Sequence, residues 1–170
     1  FDNLLNKKFN VDCKNKVWCT DFTYMRQPNG KFRYNCSIID LYDRSAVASL
    51  NSDCINTDLA INTLKTALKK EKHPKVILHS DQGVQFTSCE FVNFCKDNNI
   101  TQSMSKAGCP YDNAPMERFH NTFKSNFYNV TSFSNVEVMD ELTTKYINWY
   151  NYVRPHSHNN YLTPMEARYK

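Results

Sequence analysis

The segment VWCTDFTYMRQPNGKFRYNCSIIDLYDRSAVASL, residues 17–50, decides the fold. Its opening residues are rich in aromatic and β-branched side chains. They alternate, with Val17, Cys19, Asp21 and Thr23 on one face and Trp18, Thr20, Phe22 and Tyr24 on the other, which is the period of an extended strand. Gln27-Pro28-Asn29-Gly30 then carries the residues a tight turn needs. The sequence 31–40 therefore returns as a second, antiparallel strand. Tyr42-Asp43-Arg44 turns the chain again into a third short strand over 45–50.

Beyond this meander the pattern changes. Thr57 is placed to cap a helix with Asp58 in its first turn, and Leu59, Leu64, Ala67 and Leu68 give it an inward face as far as Lys70. His73-Pro74 ends that helix, and KVILHS (75–80) reads as a short buried strand. A helix over 89–96, a strand over 100–103, a mobile loop over 105–113 and helices over 113–128 and 136–151 complete the order. Asp112 or Asn113 is positioned to cap the first of the last two helices, with Pro115 tolerated in its first turn. Residues 1–15 read as an irregular linker or lead-in, 16–153 as the core domain, and 154–170 as a tail packing on it. An antiparallel meander followed by alternating helices and strands predicts an α/β fold with a mixed five-stranded sheet, its later strands parallel, flanked by helices. Few folds have this order, and the ribonuclease H-like fold is one.

Composition sets outer limits. A chain of 170 residues suits one domain, with 41% hydrophobic and 22% charged residues. No apolar run approaches the roughly 20 residues needed to span a bilayer. The first residues lack the layout of a secretory signal, and without an initiating Met they suggest a piece of a longer protein. Seven cysteines, an odd number with no CxxC pair, point to reduced, buried thiols and a cytoplasmic protein. The net charge of +4, from 21 Lys and Arg against 17 Asp and Glu, is compatible with nucleic acid but below that of a charge-driven binder.

Three acids stand out against this background. Asp21 interrupts an otherwise apolar strand, Asp81 follows the carboxyl end of a buried strand, and Glu117 lies one turn into a helix. On that helix Met116, Phe119, Phe123 and Phe127 form an apolar face. Glu117, Asn121, Lys124 and Tyr128 form the adjacent stripe, so a carboxylate and an ammonium project together. Oxygen ligands of this kind suit Mg²⁺ or Mn²⁺, and two such ions about 3.5–4 Å apart can serve both oxygens of a phosphoryl transfer. The thirty-five residues between Asp81 and Glu117 are weak evidence alone, since eleven Asp and six Glu would produce that spacing about 0.3 times by chance.

The text around each acid is more specific. WCTDFTY, HSDQGVQFTS, SMSKAGCPYDNAPMERFHNTFK and YNYVRPHSHNNYLTPMEA resemble, in order, signatures of bacterial insertion-sequence transposases with a retroviral-integrase-like catalytic core. The resemblance implies a ribonuclease H-like fold and an Asp, Asp, Glu triad, with Asp21, Asp81 and Glu117 as catalytic and metal-binding residues. It also implies Lys124 as the basic residue seven positions after the Glu, two Mg²⁺ or Mn²⁺ ions, and DNA ends and target DNA as substrates. Self-association in the active complex follows from joining two ends. The family's N-terminal helix-turn-helix region, which selects the ends, has no counterpart in this sequence.

Other residues read in two ways. His79 either orients a metal-bound water or is a satisfied buried histidine. Gln85, Asn113 and Asn121 either contact DNA or shape the local backbone. Arg154, in Arg154-Pro155-His156, either grips phosphate or ties the tail to the core. Asp40 reads as a turn residue rather than a further ligand. Two other functions remain open: a ribonuclease H-like nuclease without strand transfer, and an inactive remnant that only binds DNA or a partner.

Overall fold

The computed structural model describes residues 1–106 and 108–170. Strands β1 (Val17–Arg26), β2 (Phe32–Asp40) and β3 (Ala46–Ser52) form the expected meander. Helix α1 (Thr57–Lys70), strand β4 (Ile77–Ser80), helices α2 (Val84–Thr87) and α3 (Cys89–Asp97) and strand β5 (Thr101–Met104) follow. Helices α4 (Ala114–Asn126), α5 (Val136–Tyr152) and α6 (Pro164–Tyr169) complete the chain. The sheet order is β3-β2-β1-β4-β5, with β1 antiparallel to β2 and parallel to β4, and β4 parallel to β5. This is the mixed five-stranded, ribonuclease H-like arrangement that the element order predicts.

The alternation in β1 sorts its side chains between two cores. Trp18 packs with Ile38, Leu64, Leu68, Leu78 and Phe91 beneath α1 and α3. Val17 and Cys19 pack with Ile39, Met116, Phe119 and Phe123 beneath α4 and α5. The result is three layers, helices on both faces of the sheet. Asp21 continues the register of Val17 and Cys19, which turns it toward the α4 side.

Several boundaries differ from expectation for local reasons. Asn56, not Thr57, caps α1: its backbone is extended and its side chain accepts from the Leu59 N–H at 3.0 Å. The Thr57 hydroxyl instead donates to Ser88 Oγ. Neither Asp112 nor Asn113 caps α4. Asp112 accepts from the Lys106 N–H and the Asn3 amide, while Asn113 donates to the Thr20 carbonyl at 3.2 Å. The loop expected over 105–113 includes Ala107, which lies outside the described residues, and its far end, Pro110–Asn113, is a turn of 3₁₀ helix. Helices α2 and α6 escape the sequence reading because elements of four and six residues carry no measurable period.

The lead-in is irregular but packed. Leu5 is buried, the Met104 N–H donates to the Asp2 carbonyl at 3.1 Å, and the Leu4 N–H donates to Ser103 Oγ. Edge strand β5 is thereby covered. At the other end, α6 opens on a capping box made by Thr163 and Glu166. It delivers Arg168 to Asp40 at 2.9 Å and to Glu71 at 2.6 Å, with Asp43 alongside. Asp40 is thus half of a buried ion pair. All seven cysteines are free, and three of them, Cys19, Cys36 and Cys95, are buried.

Candidate active site

Asp21 sits midway along β1, where its backbone pairs with Ser37 of β2. Asp81 follows the last residue of β4, and Glu117 lies in the first turn of α4. Adjacent parallel strands β1 and β4 bring the first two acids to the same end of the sheet. Helix α4 crosses this end and is tied to it by the bond from Asn113 to the Thr20 carbonyl. The three acids line one open cavity of about 740 Å³, together with Asn113, His120, Asn121 and Lys124.

Each carboxylate is held differently. Asp21 Oδ1 accepts from its neighbour's N–H, on Phe22, at 2.8 Å, and Asp81 Oδ1 accepts from the Gly83 N–H at 2.9 Å. A Cβ at Gly83 would stand 2.9 Å from Asp81 Oδ1 and 3.2 Å from Gln85 Oε1, so a side chain there would displace the Asp81 carboxylate. Glu117 is exposed on its helix. Burial pushes the Asp21 carboxyl up to about 7, and nearby Asp81 pushes it the same way against the Phe22 N–H. Among the described residues no three His, Cys, Asp or Glu side chains are gathered closely enough to enclose a metal ion. The acids share a wall of the cavity and not a closed cluster.

Among the described residues no cation neutralises the pair of aspartates. His120 Nδ1 lies 3.8 Å from Asp21 Oδ2, but burial pushes the imidazole down to about 3, with Lys124 adding to the effect, so it is neutral. Its Nε2 is buried without a hydrogen-bond partner, as is Asn113 Oδ1. Lys124 lines the cavity with its ammonium 4.4 Å from the centre of the Tyr24 ring. The sequence reading passes over His120, although it stands three residues after Glu117, at the spacing that shares a helix face.

The remaining expected residues separate. His79 is fully buried and satisfied: Nδ1 meets Ser103 Oγ at 2.9 Å and Nε2 donates to the Asp112 carbonyl at 2.9 Å. It fastens β4 and β5 to the turn before α4 and does not line the cavity. Gln85 stands beside Gly83, outside the cavity wall, whereas Gln82 is in it. Arg154 lines a second groove on the other flank of α4.

Two family models, both described as Integrase core domain, match residues 11–110 and 98–164. InsK of insertion sequence element IS150 from Escherichia coli (strain K12) is 35% identical over 167 residues, 98% of this chain and 59% of InsK. Transposase InsF of insertion sequence IS3A from the same strain is 34% identical over 171 residues, 99% of this chain and 59% of InsF. The chain therefore spans well under two thirds of these relatives. Its fold is shared by a chain of the simian T-cell lymphotropic virus intasome, with a TM-score of 0.78 at 17% identity over 95% of this chain and 56% of that one. It is also shared by the HTLV-2 integrase catalytic core domain in complex with magnesium, with a TM-score of 0.70 at 16% identity over 92% and 97% of the two chains. The matched residues take in Asp21, Asp81 and Glu117 and the elements that carry them, and the chain belongs to the integrase core domain family.

Proposed function

We propose that this chain is the catalytic core of a DNA transposase, cleaving one strand at the end of an insertion element and joining the freed 3′-hydroxyl to target DNA. The observation that carries this reading is the shared cavity. It holds three carboxylates, one of them forced toward neutrality by burial and its neighbour, beside a lysine.

The donor set fits a hard divalent cation. Asp21, Asp81 and Glu117 offer only oxygen, and the nearest imidazole, neutral and backed by a buried nitrogen, competes poorly for the charge. Asp21 with Asp81, and Asp21 with Glu117, would hold Mg²⁺ or Mn²⁺, as the magnesium complex of the HTLV-2 core suggests. Bound there, such ions supply positive charge at the attacking and departing oxygens of a phosphodiester. The protein's own groups position the substrate. Lys124 holds a phosphate oxygen at the cavity rim, and Asn121 donates beside it. Tyr24 keeps the Lys124 ammonium over its ring until the anion arrives. His120 and Asn113 wall the cavity behind Asp21 and restrict water to the substrate side. Catalysis is then chiefly positioning and charge neutralisation.

Selection of DNA ends is assigned to a part of the protein outside this chain, consistent with its net charge of only +4. Joining two ends calls for at least two catalytic cores in the active complex.

The test uses labelled element ends, a target plasmid and Mg²⁺ or Mn²⁺. Cleaved and joined products that fall by about 100-fold or more in Glu117→Gln are expected. Cleavage without joining would favour a nuclease, and end binding with no metal-dependent chemistry would reduce the chain to a binding module.

A further inference from the structure

Helix α4 separates two depressions. One is the cavity of the three acids; the other, about 1030 Å³, lies between α4, the turn after β2 and the segment following α5. They are continuous, because Glu117, Asn121 and Lys124 line both. In the second groove Arg44, Arg118, Lys124 and Arg154 face a common space, and among the described residues Glu117 is the one carboxylate that lines it. Among the described residues none of these four cations has a carboxylate within 4.0 Å, although Arg33 and Arg168 elsewhere are both paired. Four unpaired cations in one groove repel, and an extended polyanion relieves that repulsion.

Two of the arginines are built in. Arg44 sits at the tip of the turn joining β2 to β3, in the left-handed region at φ 62°. One of its amino groups donates to the Phe9 carbonyl at 2.9 Å, while the other, Nη1, is buried with no partner. A buried donor without an acceptor is costly, and Arg44 also lines the groove. Arg154 Nη1 donates to His156 Nε2 at 3.0 Å, and its guanidinium lies 5.7 Å from the centre of the Tyr150 ring. The accepting nitrogen requires a neutral His156, and burial keeps it so by pushing its pKa down to about 4, with Arg154 acting the same way. Arg154 is thus held in place before any ligand arrives, which lowers the ordering cost of binding.

We propose that this groove continues the DNA track beyond the active site, and that Arg44, Arg118 and Arg154 grip successive phosphates of a strand passing over α4. The proposal rests on the transposase-core reading and gives a role to Arg154-Pro155-His156, which the chemistry of the acids leaves unused.

Binding of a fluorescein-labelled DNA duplex, followed by anisotropy across a salt series, tests it. For duplex DNA each lost phosphate contact flattens the slope of log K against log salt by about 0.9, so Arg118→Ala and Arg154→Ala should each lower it by about that amount. Arg154→Lys should restore the slope, because the charge returns. Lys69→Ala, on the exposed side of α1 across the sheet, should leave it unchanged. If both arginine variants keep the wild-type slope while melting normally, or if Lys69→Ala flattens it equally, the groove is not the track. Metal-dependent nicking and its loss in Glu117→Gln are read on the same preparations. Nicking with untouched slopes overturns the groove alone, whereas flattened slopes without nicking overturn the proposed chemistry and leave the groove standing.

Discussion

At the scale of single residues the site is governed by how Asp21 is buried. Its carboxyl titrates near 7 against an ordinary 3.8, so ionising it opposes folding. Below about pH 4 the group is protonated in both states and the opposition vanishes; it grows as the pH rises to about 7. Asp21→Asn should therefore raise the Tm of the metal-free protein by a few degrees at about pH 8 and leave it unchanged near pH 3.5. Mn²⁺ should raise the wild-type Tm at the higher pH and not that of Asp21→Asn, since a ligand of the native state stabilises it only if its site exists. Gly83 acts on the second acid through space. A methyl at that position meets Asp81 Oδ1, so Gly83→Ala should slow strand nicking by about 10–100-fold with little change in melting temperature. Of these residues Asp21 and Asp81 stand out in the sequence, as carboxylates where a strand should be apolar or ends. His120 does not, because a histidine beside two phenylalanines on a helix looks like any core residue until Asp21 is seen against it.

Among the elements, α6 is the one whose role depends most on distant partners. Its capping box is local, Thr163 to Glu166, and Thr163→Ala should cost about 1 kcal/mol in urea unfolding. Arg168 is different. It joins Asp40 across 128 positions of sequence and Glu71 across 97, and among the described residues it is the only cation paired with either. Removing it leaves buried carboxylates uncompensated, so Arg168→Ala should cost roughly 3–5 kcal/mol, several times the loss of the cap. Helix α4 shows the opposite case. Its apolar stripe of Met116, Phe119 and Phe123 is a matter of 3.6-residue periodicity, and the structure buries that stripe against the sheet. Its start is not local, because Asp112 and Asn113 spend their side chains on the loop and on β1 and not on the helix.

For the whole molecule, the sheet is shared between two cores, one under α1 and α3 and one under α4 and α5. Since alternate residues of the same strands serve each, neither core survives loss of the other. Leu64→Ala in the first should cost roughly 2–5 kcal/mol and Phe123→Ala in the second roughly 3–5 kcal/mol. Both variants should still unfold in one transition, with circular dichroism and tryptophan fluorescence coincident. Two separated transitions would mean that the layers are independent. This architecture also explains the site: the end of a parallel pair, β1 and β4, opens where α4 crosses, and there all three acids reach one cavity.

The amino-acid sequence by itself determined the meander, through the alternation of 17–25 and the turn at Gln27–Gly30, and the inward stripe of α4, through its period. Both are local signals, fixed by backbone sterics and by which face an apolar residue must hide. Tertiary structure alone decided what lies far apart along the chain. It brought Asp81 and Glu117 to one cavity, placed a neutral His120 against Asp21, satisfied His79 away from the chemistry and paired Arg168 with Asp40. It also aligned Arg44, Arg118 and Arg154 along a second groove. The physical reason is that charge and hydrogen-bond partners are chosen by distance in space, and a folded sheet sets that distance with no periodic trace in the sequence.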